Sequence, residues 1–540
     1  MREKEICLRS EAYGISSSEH FPCKMSAQSD DSRYLSIFLP YATVMTPAIH
    51  LIDFVIVIGY LGGVLVFGLW VGRGQKNTVD YFLGARSLPW WALLLSIVAT
   101  ETSTVTFLSI PGFSFAINGD LRFLQITFGY ILGRILVVYL LLPLYFRGQP
   151  FTSYEVLERR FGRASRRTTS LLFLLTRNLS DALRLFLSAL ALQQAVGIGL
   201  TNCVVGLGIF TIAYTFFGGV KSVVWNDCIQ FFVYMIGAVA SLCVLISLLP
   251  GGTEQFWQFA EQRDKFRMLD FDTSLTKSTM TFWAGLVGGL FLTAATHGTD
   301  QLMVQRYLSA KSQRGASWAV ALSGVVVCCQ FALFLIIGVA LACFYNAFPS
   351  AGQFGESDGD RVFAYFIVNS LPHGLVGLTL AAVFAAAMST LSSSLNSSAT
   401  AFVNDIYLPL RKRELTMAEQ LRLGRVATVM FGVLQIGIAL LSNQYGANQS
   451  TVGKVLAIAG FAMGPMLGLY FLAVLTRSVS QRAALVGFLS GLGVLSWVAS
   501  TTSLYWAWYA VVGSSSTLIV GCLFSWLFEK HEPSDAILTE

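Results

Sequence analysis

Apolar stretches follow one another along almost the whole chain, and they restrict its fold more than any other feature of the sequence. A helix that crosses a bilayer needs about 20 mostly apolar residues. Charged residues make up only 12% of the 540 residues, whereas about 25% is usual in soluble proteins. The sequence therefore predicts an all-α polytopic membrane protein and excludes a soluble enzyme or a nucleic-acid binder. We place about thirteen transmembrane helices near 51–72, 88–116, 122–146, 168–197, 202–217, 222–249, 280–299, 317–345, 373–403, 423–442, 451–476, 483–500 and 504–528.

The Lys and Arg residues of the connections fall mainly on one side of the predicted membrane. One set of alternate loops, with the C-terminal tail and one span edge, holds 21 of them, and the opposite set holds 6. Cytoplasmic loops carry the excess of positive charge in membrane proteins. We therefore expect a multi-pass protein of the plasma (inner) membrane, with its N-terminus outside and its C-terminus inside.

The two ends of the chain are polar. Residues 1–44 lack the apolar core of a signal peptide, and we expect a disordered tail or an upstream start there. Residues 45–87 are predicted to form a first transmembrane helix with its loop, and residues 529–540 a cytoplasmic tail.

One predicted span carries an acid and several hydroxyls in its middle, where such groups are costly unless they face a cavity or a partner. Thr is a weak helix former whose hydroxyl competes for backbone hydrogen bonds. We expect the helix to unwind around Thr100–Thr104 and to free carbonyls for a cation. A continuous helix with hydroxyls bonded back by one turn is the alternative. The polar residues are Thr100, Glu101, Thr102, Ser103, Thr104 and Thr106.

A second span is rich in serine. Ser389, Ser392 and Ser393 stand at i, i+3 and i+4 and share one helical face, with Thr390 beside them. Neutral hydroxyls and carbonyls suit a monovalent hard cation, but small residues also form close-packed helix seams. In another span Asp227 is either an ion-pathway carboxylate or an interfacial residue bonded to backbone.

The fourth predicted span, near 168–197, contains Arg177, Asp181 and Arg184, which share a helical face. Each guanidinium costs at least about 2.5 kcal/mol at this depth on insertion scales. One Asp cannot neutralise two Arg, so we expect a residual positive charge and an anionic substrate. The alternative is that Arg177, Asp181 and Arg184 form a self-neutralising cluster that only joins helices. Glu101 argues against an anionic substrate, because an acid near the pocket favours an amine or a hydroxyl-rich solute.

Several motifs resemble those of the sodium/solute symporter family, which includes sodium–glucose, proline, iodide, sialic acid and monocarboxylate/multivitamin symporters. The resemblance runs in order from about residue 51 to 480. Asn226 stands where most members have Thr, which is a mild departure. The matching motifs are Asp80-Tyr-Phe-Leu-Gly, Ser87-Leu-Pro-Trp-Trp, Tyr154-Glu-Val-Leu-Glu, Val224-Trp-Asn-Asp-Cys-Ile-Gln, Gln305-Arg-Tyr-Leu, Met388-Ser-Thr and Gly460-Phe-Ala-Met-Gly-Pro.

The resemblance implies a LeuT-like inverted repeat of five plus five helices. Residues 88–249 would form the first repeat and residues 280–476 the second, followed by two C-terminal helices within 477–528. Each repeat would open with a broken helix. In the second repeat we expect the break at Gly288-Gly289 and within Thr293–Thr299.

The resemblance also implies ligand positions. A first sodium ion would be held by the carbonyls of Ala99, Thr102 and Ala386 and the hydroxyls of Ser389 and Thr390. A second would use Asp227 with Ser389, Ser392 and Ser393, which favours two ions per cycle. The expected substrate-binding residues are Glu101, Ser103, Thr106, Arg177, Ser180, Asp181, Arg184, Thr293, Thr296 and His297.

The function that these patterns favour is sodium-coupled symport of a small organic solute or anion by alternating access. No covalent chemistry, catalytic residue or cofactor is expected, and sodium is the coupling ion. The expected partners are the substrate, sodium and the lipid bilayer, without nucleic acid. A passive channel needs no paired broken helices, and a transporter-like sensor would need more than the dozen residues after Phe528 for a signalling domain.

Overall fold

The computed structural model describes residues 50–148, 150–277, 279–355, 358–442 and 451–528. The predicted tails 1–44 and 529–540 lie outside the described residues. Those residues are helical throughout and include no strand, only an isolated bridge between Leu88 and Ala310. The helices are α1 (Leu51–Val71), α2 (Thr78–Leu83), α3 (Trp90–Glu101), α4 (Thr104–Phe115), α5 (Ile126–Leu136), α6 (Leu142–Phe146), α7 (Glu155–Phe161), α8 (Arg163–Val196), α9 (Leu200–Leu248), α10 (Gly252–Gln262), α11 (Gly289–Gly298), α12 (Gln301–Leu308), α13 (Gln313–Ala347), α14 (Gly359–Ser370), α15 (Leu375–Ala401), α16 (Leu408–Leu410), α17 (Met417–Ser442), α18 (Thr451–Leu475), α19 (Gln481–Thr501) and α20 (Tyr509–Phe528).

Many of these helices have the length and composition of membrane spans. Eight apolar helical segments of the described chain are long enough, and the bent pair of α3 and α4 makes up to nine. The helix α9 has 49 residues and contains two of the predicted stretches, joined at Gly219 with φ 56°. A Cβ at Gly219 would lie 2.6 Å from the Tyr81 carbonyl oxygen, so the close turn requires glycine. The described chain is thus a multi-pass helical bundle, and the total of thirteen spans and the orientation stay predictions.

The serine-rich helix α15 lies at the centre of the bundle. It packs against α1, α3, α8, α9 and α17. Every residue from Thr379 to Ala401 is buried. Small side chains allow this close approach of neighbouring backbones. Because α15 is surrounded by other helices, its hydroxyls face protein rather than lipid.

The second broken helix agrees with the prediction only in part, since Thr299 lies in the expected range but Gly288-Gly289 does not break the helix. At Gly288 and Gly289 the backbone stays helical, because a π-helical turn over Ala284–Gly288 runs directly into α11. The break lies later, at Thr299 and Asp300, and the Asp300 carboxylate caps the next helix by accepting the Leu302 N–H at 2.9 Å. The segment that we expected to be a loop after residue 300 is the buried helix α12.

An ionic cluster fixes the connection between α10 and α11. Asp270 accepts hydrogen bonds from Arg122 at 3.0 Å and from Lys277 at 2.8 Å. Burial alone would raise the pKa of Asp270, but these donors outweigh it and lower the pKa to about 2. The cluster ties this connection to the start of the span that contains α5.

We expect Asp270→Asn to destabilise the protein by at most about 1 kcal/mol at neutral pH, because the ion pair is partly solvated. The folded-state pKa of Asp270 is below the unfolded value, so its contribution is complete above about pH 4 and disappears as the pH falls towards 2. The difference in melting temperature between wild type and variant should shrink over this range. Asp272→Asn is the control. Asp272 also pairs with Lys277 but is more exposed than Asp270, so this variant should lose less stability. A difference in melting temperature between wild type and Asp270→Asn that stays constant with pH would contradict the lowered pKa of Asp270.

Candidate functional site

The first broken helix opens where the sequence predicts. Thr102 and Ser103 leave the helical conformation with ψ values of 85° and 171°, between α3 and α4. The two halves meet at an angle of 60°. The carbonyls at the end of α3 lose their regular partners in this break. One of them, the Thr100 carbonyl, accepts a hydrogen bond from the Thr390 hydroxyl at 2.8 Å.

Hydroxyls from α3 and α15 converge on the Asp227 carboxylate, which α9 contributes. Asp227 Oδ1 accepts from Ser389 Oγ at 2.7 Å, and Oδ2 accepts from Ser96 Oγ at 2.5 Å. Thr100 Oγ1 lies 3.4 Å from Ser389 Oγ and 3.3 Å from Ser393 Oγ. The whole group is buried. Asp227 therefore belongs to an interior oxygen cluster, not to the membrane interface.

A cation of the protein itself completes this oxygen cluster. Arg306 of α12 pairs with Asp227 Oδ2 at 3.1 Å and donates to Ser96 Oγ at 2.8 Å. It also donates to the hydroxyls of Thr100 and Ser393. The predicted spans leave Arg306 in a loop, and this was wrong, since it lies in a buried helix and its side chain is only 3% exposed. The charge of Asp227 is balanced before any sodium binds.

The residues expected at the first sodium ion all lie at the contact of α3 with α15. Ala99, Thr102 and Ala386 are buried there. The Thr390 hydroxyl donates to the Thr100 carbonyl and, at 3.4 Å, to the Ala386 carbonyl. The Thr102 hydroxyl is engaged elsewhere, with Gln330 at 2.9 Å. This set of neutral oxygens suits a hard monovalent cation.

A cavity of about 130 Å³ opens beside the first break. Its apolar wall includes Ile110, Phe123 and Phe331. Thr100 lines this cavity and also belongs to the oxygen cluster around Asp227, so the cavity and the cluster share a residue. Of the ten residues expected to bind substrate, nine line the cavity: Glu101, Ser103, Thr106, Arg177, Ser180, Arg184, Thr293, Thr296 and His297.

The tenth residue, Asp181, lies behind the two arginines and is fully buried. Arg177 Nε and Nη2 each lie 2.6 Å from an Asp181 oxygen, and Arg184 also pairs with Asp181. Arg177 Nη1 reaches Asp300 at 3.2 Å. The residual positive charge that we expected here is therefore absent, because Asp300 supplies the second negative charge.

Arg184 nevertheless keeps a free donor. Its Nε is buried and has no hydrogen-bond partner among the described residues. An unsatisfied buried donor is costly in a folded protein. Arg177, by contrast, uses all three of its nitrogens in ion pairs. Of the two guanidiniums, Arg184 is the one with hydrogen-bonding capacity left for a ligand.

The Glu101 carboxylate on the same cavity wall is also paired. Arg134 of α5, which is fully buried, forms an ion pair with Glu101 and donates to Ser323 at 3.0 Å. His297 Nε2 lies 3.6 Å from the same carboxylate. Glu101 therefore does not argue against an anionic substrate, because Arg134 balances the charge of its carboxylate.

Sequence reasoning missed Arg134, Asp300 and Arg306 as site residues. Arg134 lies inside a predicted span, and the cost of an unpaired charge in hydrocarbon was a signal that it needed a partner. Asp300 and Arg306 were assigned to a loop. The N-cap position of Asp300 before an apolar helix was the readable signal.

Comparisons with known proteins agree on a family. The profile of the sodium:solute symporter family matches residues 81–491. The sodium/sialic acid symporter NanT of Aliivibrio fischeri is 32% identical over 90% of this chain and 95% of its own length. The corresponding symporter SiaT of Proteus mirabilis is 30% identical over 88% and 95%, and the sodium-dependent multivitamin transporter of Oryctolagus cuniculus is 30% identical over 85% and 72%. These relatives are transporters, not enzymes.

Solved structures give the same result for the fold. A substrate-bound, outward-open Na⁺-coupled sialic acid symporter with a novel Na⁺ site aligns with a TM-score of 0.83 and 29% identity, over 90% of this chain and 99% of that one. The nucleobase-cation symporter Mhp1 aligns with a TM-score of 0.52 at 14% identity, over 83% and 94%, which shows a likeness of fold alone.

Proposed function

The chain belongs to the sodium:solute symporter family, and on this premise we propose that it imports a small carboxylate-bearing solute of the sialic acid class together with sodium ions. The observation that carries the choice of substrate is Arg184, which lines the cavity beside the broken helix and whose buried Nε has no hydrogen-bond partner among the described residues. A guanidinium donates strong, directional hydrogen bonds to a carboxylate. The names of the two sialic acid relatives support the same class of solute.

The remaining walls of the cavity suit a sugar acid. Ser103, Thr106, Ser180, Thr293 and Thr296 offer hydroxyls at the cavity. Their donors and acceptors match a solute with several hydroxyl or amide groups. The apolar side chains on the opposite wall give the solute a surface to pack against. A small inorganic anion would leave most of these polar groups without a partner.

We further propose two sodium ions per cycle. The first would lie between the end of α3 and the Ser389 and Thr390 hydroxyls. The second would use Asp227 Oδ1 with Ser389 and Ser392, on the side of the carboxylate that Arg306 leaves open. Ser393 contributes less to a second ion than the sequence suggested, because its hydroxyl already accepts from Arg306.

The proposed function is tested by uptake into proteoliposomes. An inward sodium gradient should drive concentrative uptake of labelled N-acetylneuraminic acid, and a sodium ionophore should abolish it. Lactate, biotin and iodide serve as competitors that represent other members of the family. Equilibration without accumulation would indicate a passive channel, and inhibition only by iodide or lactate would contradict the sugar-acid assignment. The ratio of sodium to solute at the reversal potential decides between one and two ions.

Ser389→Ala and Thr390→Ala are expected to weaken sodium activation of transport by about 5- to 150-fold. Each removes one oxygen ligand from a buried ion, which costs about 1–3 kcal/mol. Ser397→Ala is the matched control, because this hydroxyl of the same helix only bonds back to the Ser394 carbonyl at 3.1 Å. Half-saturating sodium is measured at saturating solute. Wild-type sodium dependence in both variants would show that the first sodium site is misplaced.

A further inference from the structure

Two histidines and a buried carboxylate meet at one end of the bundle, away from the sodium and solute sites. His50 precedes α1, Asp53 lies in its first turn, and His373 precedes α15. One potential ligand atom from each residue lies within 4.8 Å of the others. The predicted orientation places this group on the outer side of the membrane. We propose that it is a binding site for a borderline transition-metal cation, with Zn²⁺ as the reference ion.

The Asp53 carboxylate is buried and is oriented by backbone hydrogen bonds. Asp53 is 1% exposed. Its Oδ1 accepts the backbone N–H groups of Gly374 and Gly377, both at 2.7 Å. A Cβ at Gly377 would lie 2.6 Å from the Asp53 Cα, so the two helix ends are in close contact. Hydrogen bonds of this kind orient carboxylate ligands around metal ions. Oδ2 is the oxygen left for the cation.

The spacing of the ligand atoms fits a tetrahedral ion. Asp53 Oδ2 and His373 Nδ1 are 3.3 Å apart. Zn²⁺ bonds of about 2.0–2.1 Å at tetrahedral angles separate two ligands by about 3.3 Å. The rings of His50 and His373 are stacked with centroids 4.4 Å apart. Both rings are exposed, and one nitrogen of His50 lies within 4.8 Å of the potential ligand atoms of Asp53 and His373.

The chemistry of the donors selects the class of metal. Two imidazoles and one carboxylate match Zn²⁺ and its neighbours in the first transition row. Mg²⁺ demands octahedral oxygen ligands and keeps its water, so it is not expected here. Three protein ligands leave a fourth position for water. Bound metal would join the start of α1 to the start of α15, the helix that carries Ser389 and Thr390.

The test uses the full chain, purified with an affinity tag that contains no histidine. Co²⁺ should give the visible absorption bands of a four-coordinate ion, and Zn²⁺ should displace it. Saturating Zn²⁺ should raise the melting temperature by at least about 2 °C, and Mg²⁺ should not. Absence of both the bands and the shift in the wild-type protein would overturn the proposal.

His50→Asn and His373→Asn should each weaken Zn²⁺ binding by at least about tenfold. Asparagine at position 50 keeps an acceptor for the Ile52 N–H that His50 now caps at 3.3 Å. His531→Asn is the matched control and should bind Zn²⁺ as wild type does. Metal-free uptake by the two site variants reports that they are folded, since neither residue lies at the sodium or solute site. Wild-type Zn²⁺ affinity in both site variants would refute the assignment.

Discussion

Replacement of Arg306 by Gln is expected to destabilise the protein by about 3–5 kcal/mol, because the buried Asp227 carboxylate would lose its only ion-pair partner among the described residues. The change also removes donors to Ser96, Thr100 and Ser393. Denaturation of the purified protein in detergent measures the effect. Arg314→Gln is the matched control, since Arg314 is exposed one helix later, and it should stay within about 0.5 kcal/mol of wild type.

The double variant Arg306→Gln with Asp227→Asn separates the ion pair from simple packing. Removal of both charges leaves no orphaned charge in the interior, so the double variant should be more stable than Arg306→Gln alone. If the losses of stability in Arg306→Gln and Asp227→Asn add in the double variant instead, the two side chains act independently. The ion pair is then not the reason for the instability.

Arg184→Gln should lower the affinity for a carboxylate solute by about 10- to 150-fold, which corresponds to the 1.5–3 kcal/mol of a hydrogen bond to a charged group. Besides the Arg184 nitrogen that pairs with Asp181, the change removes Nε, which has no hydrogen-bond partner among the described residues. Competition with the methyl ester of the same solute is the decisive measurement. The ester lacks the negative charge, so its weaker binding should hardly change between wild type and Arg184→Gln.

Arg177→Gln is the matched comparison and should behave differently. Its guanidinium joins Asp181 to Asp300, so the variant should lose stability, by about 3–5 kcal/mol, more than it loses selectivity for the acid over the ester. The assignment of Arg184 is wrong if Arg184→Gln binds the acid as tightly as wild type, or if only Arg177→Gln loses the preference for the acid.

The sequence predicts the membrane class and the first break because these depend on local composition, whereas most of the cavity wall was expected from the family resemblance. Hydroxyls beside Glu101 mark the break at Thr102 and Ser103 with no knowledge of other helices. For the second break, Gly288-Gly289 was wrong, since a π-helical turn keeps the backbone helical there, whereas the expected range Thr293–Thr299 contains Thr299, where the break begins. Glycine permits a break but does not impose one.

The pairing of buried charges could not be read from the sequence. Asp227 and Arg306 are 79 residues apart, and Arg177 and Asp300 are 123 residues apart. Only the packing of the folded bundle brings Asp227 of α9 to Arg306 of α12, and Arg177 of α8 to Asp300. The same packing bears on the substrate, because Asp300 balances the net charge that Arg177 and Arg184 suggested, while Arg184 Nε keeps no hydrogen-bond partner among the described residues.

For the proposed transport cycle, the pairing of Arg306 with Asp227 has a consequence for how the membrane potential would act. Moving one elementary charge across 100 mV is worth about 2.3 kcal/mol. An unpaired Asp227 would carry a negative charge through the reorientation of the empty carrier, and the voltage would act on that return step. With Arg306 beside it the empty cluster is neutral. On the proposed sodium-coupled cycle, the net charge that this cluster moves would then be that of its bound sodium ion, so the sodium-loaded step should carry the voltage dependence and the return of the empty carrier should not.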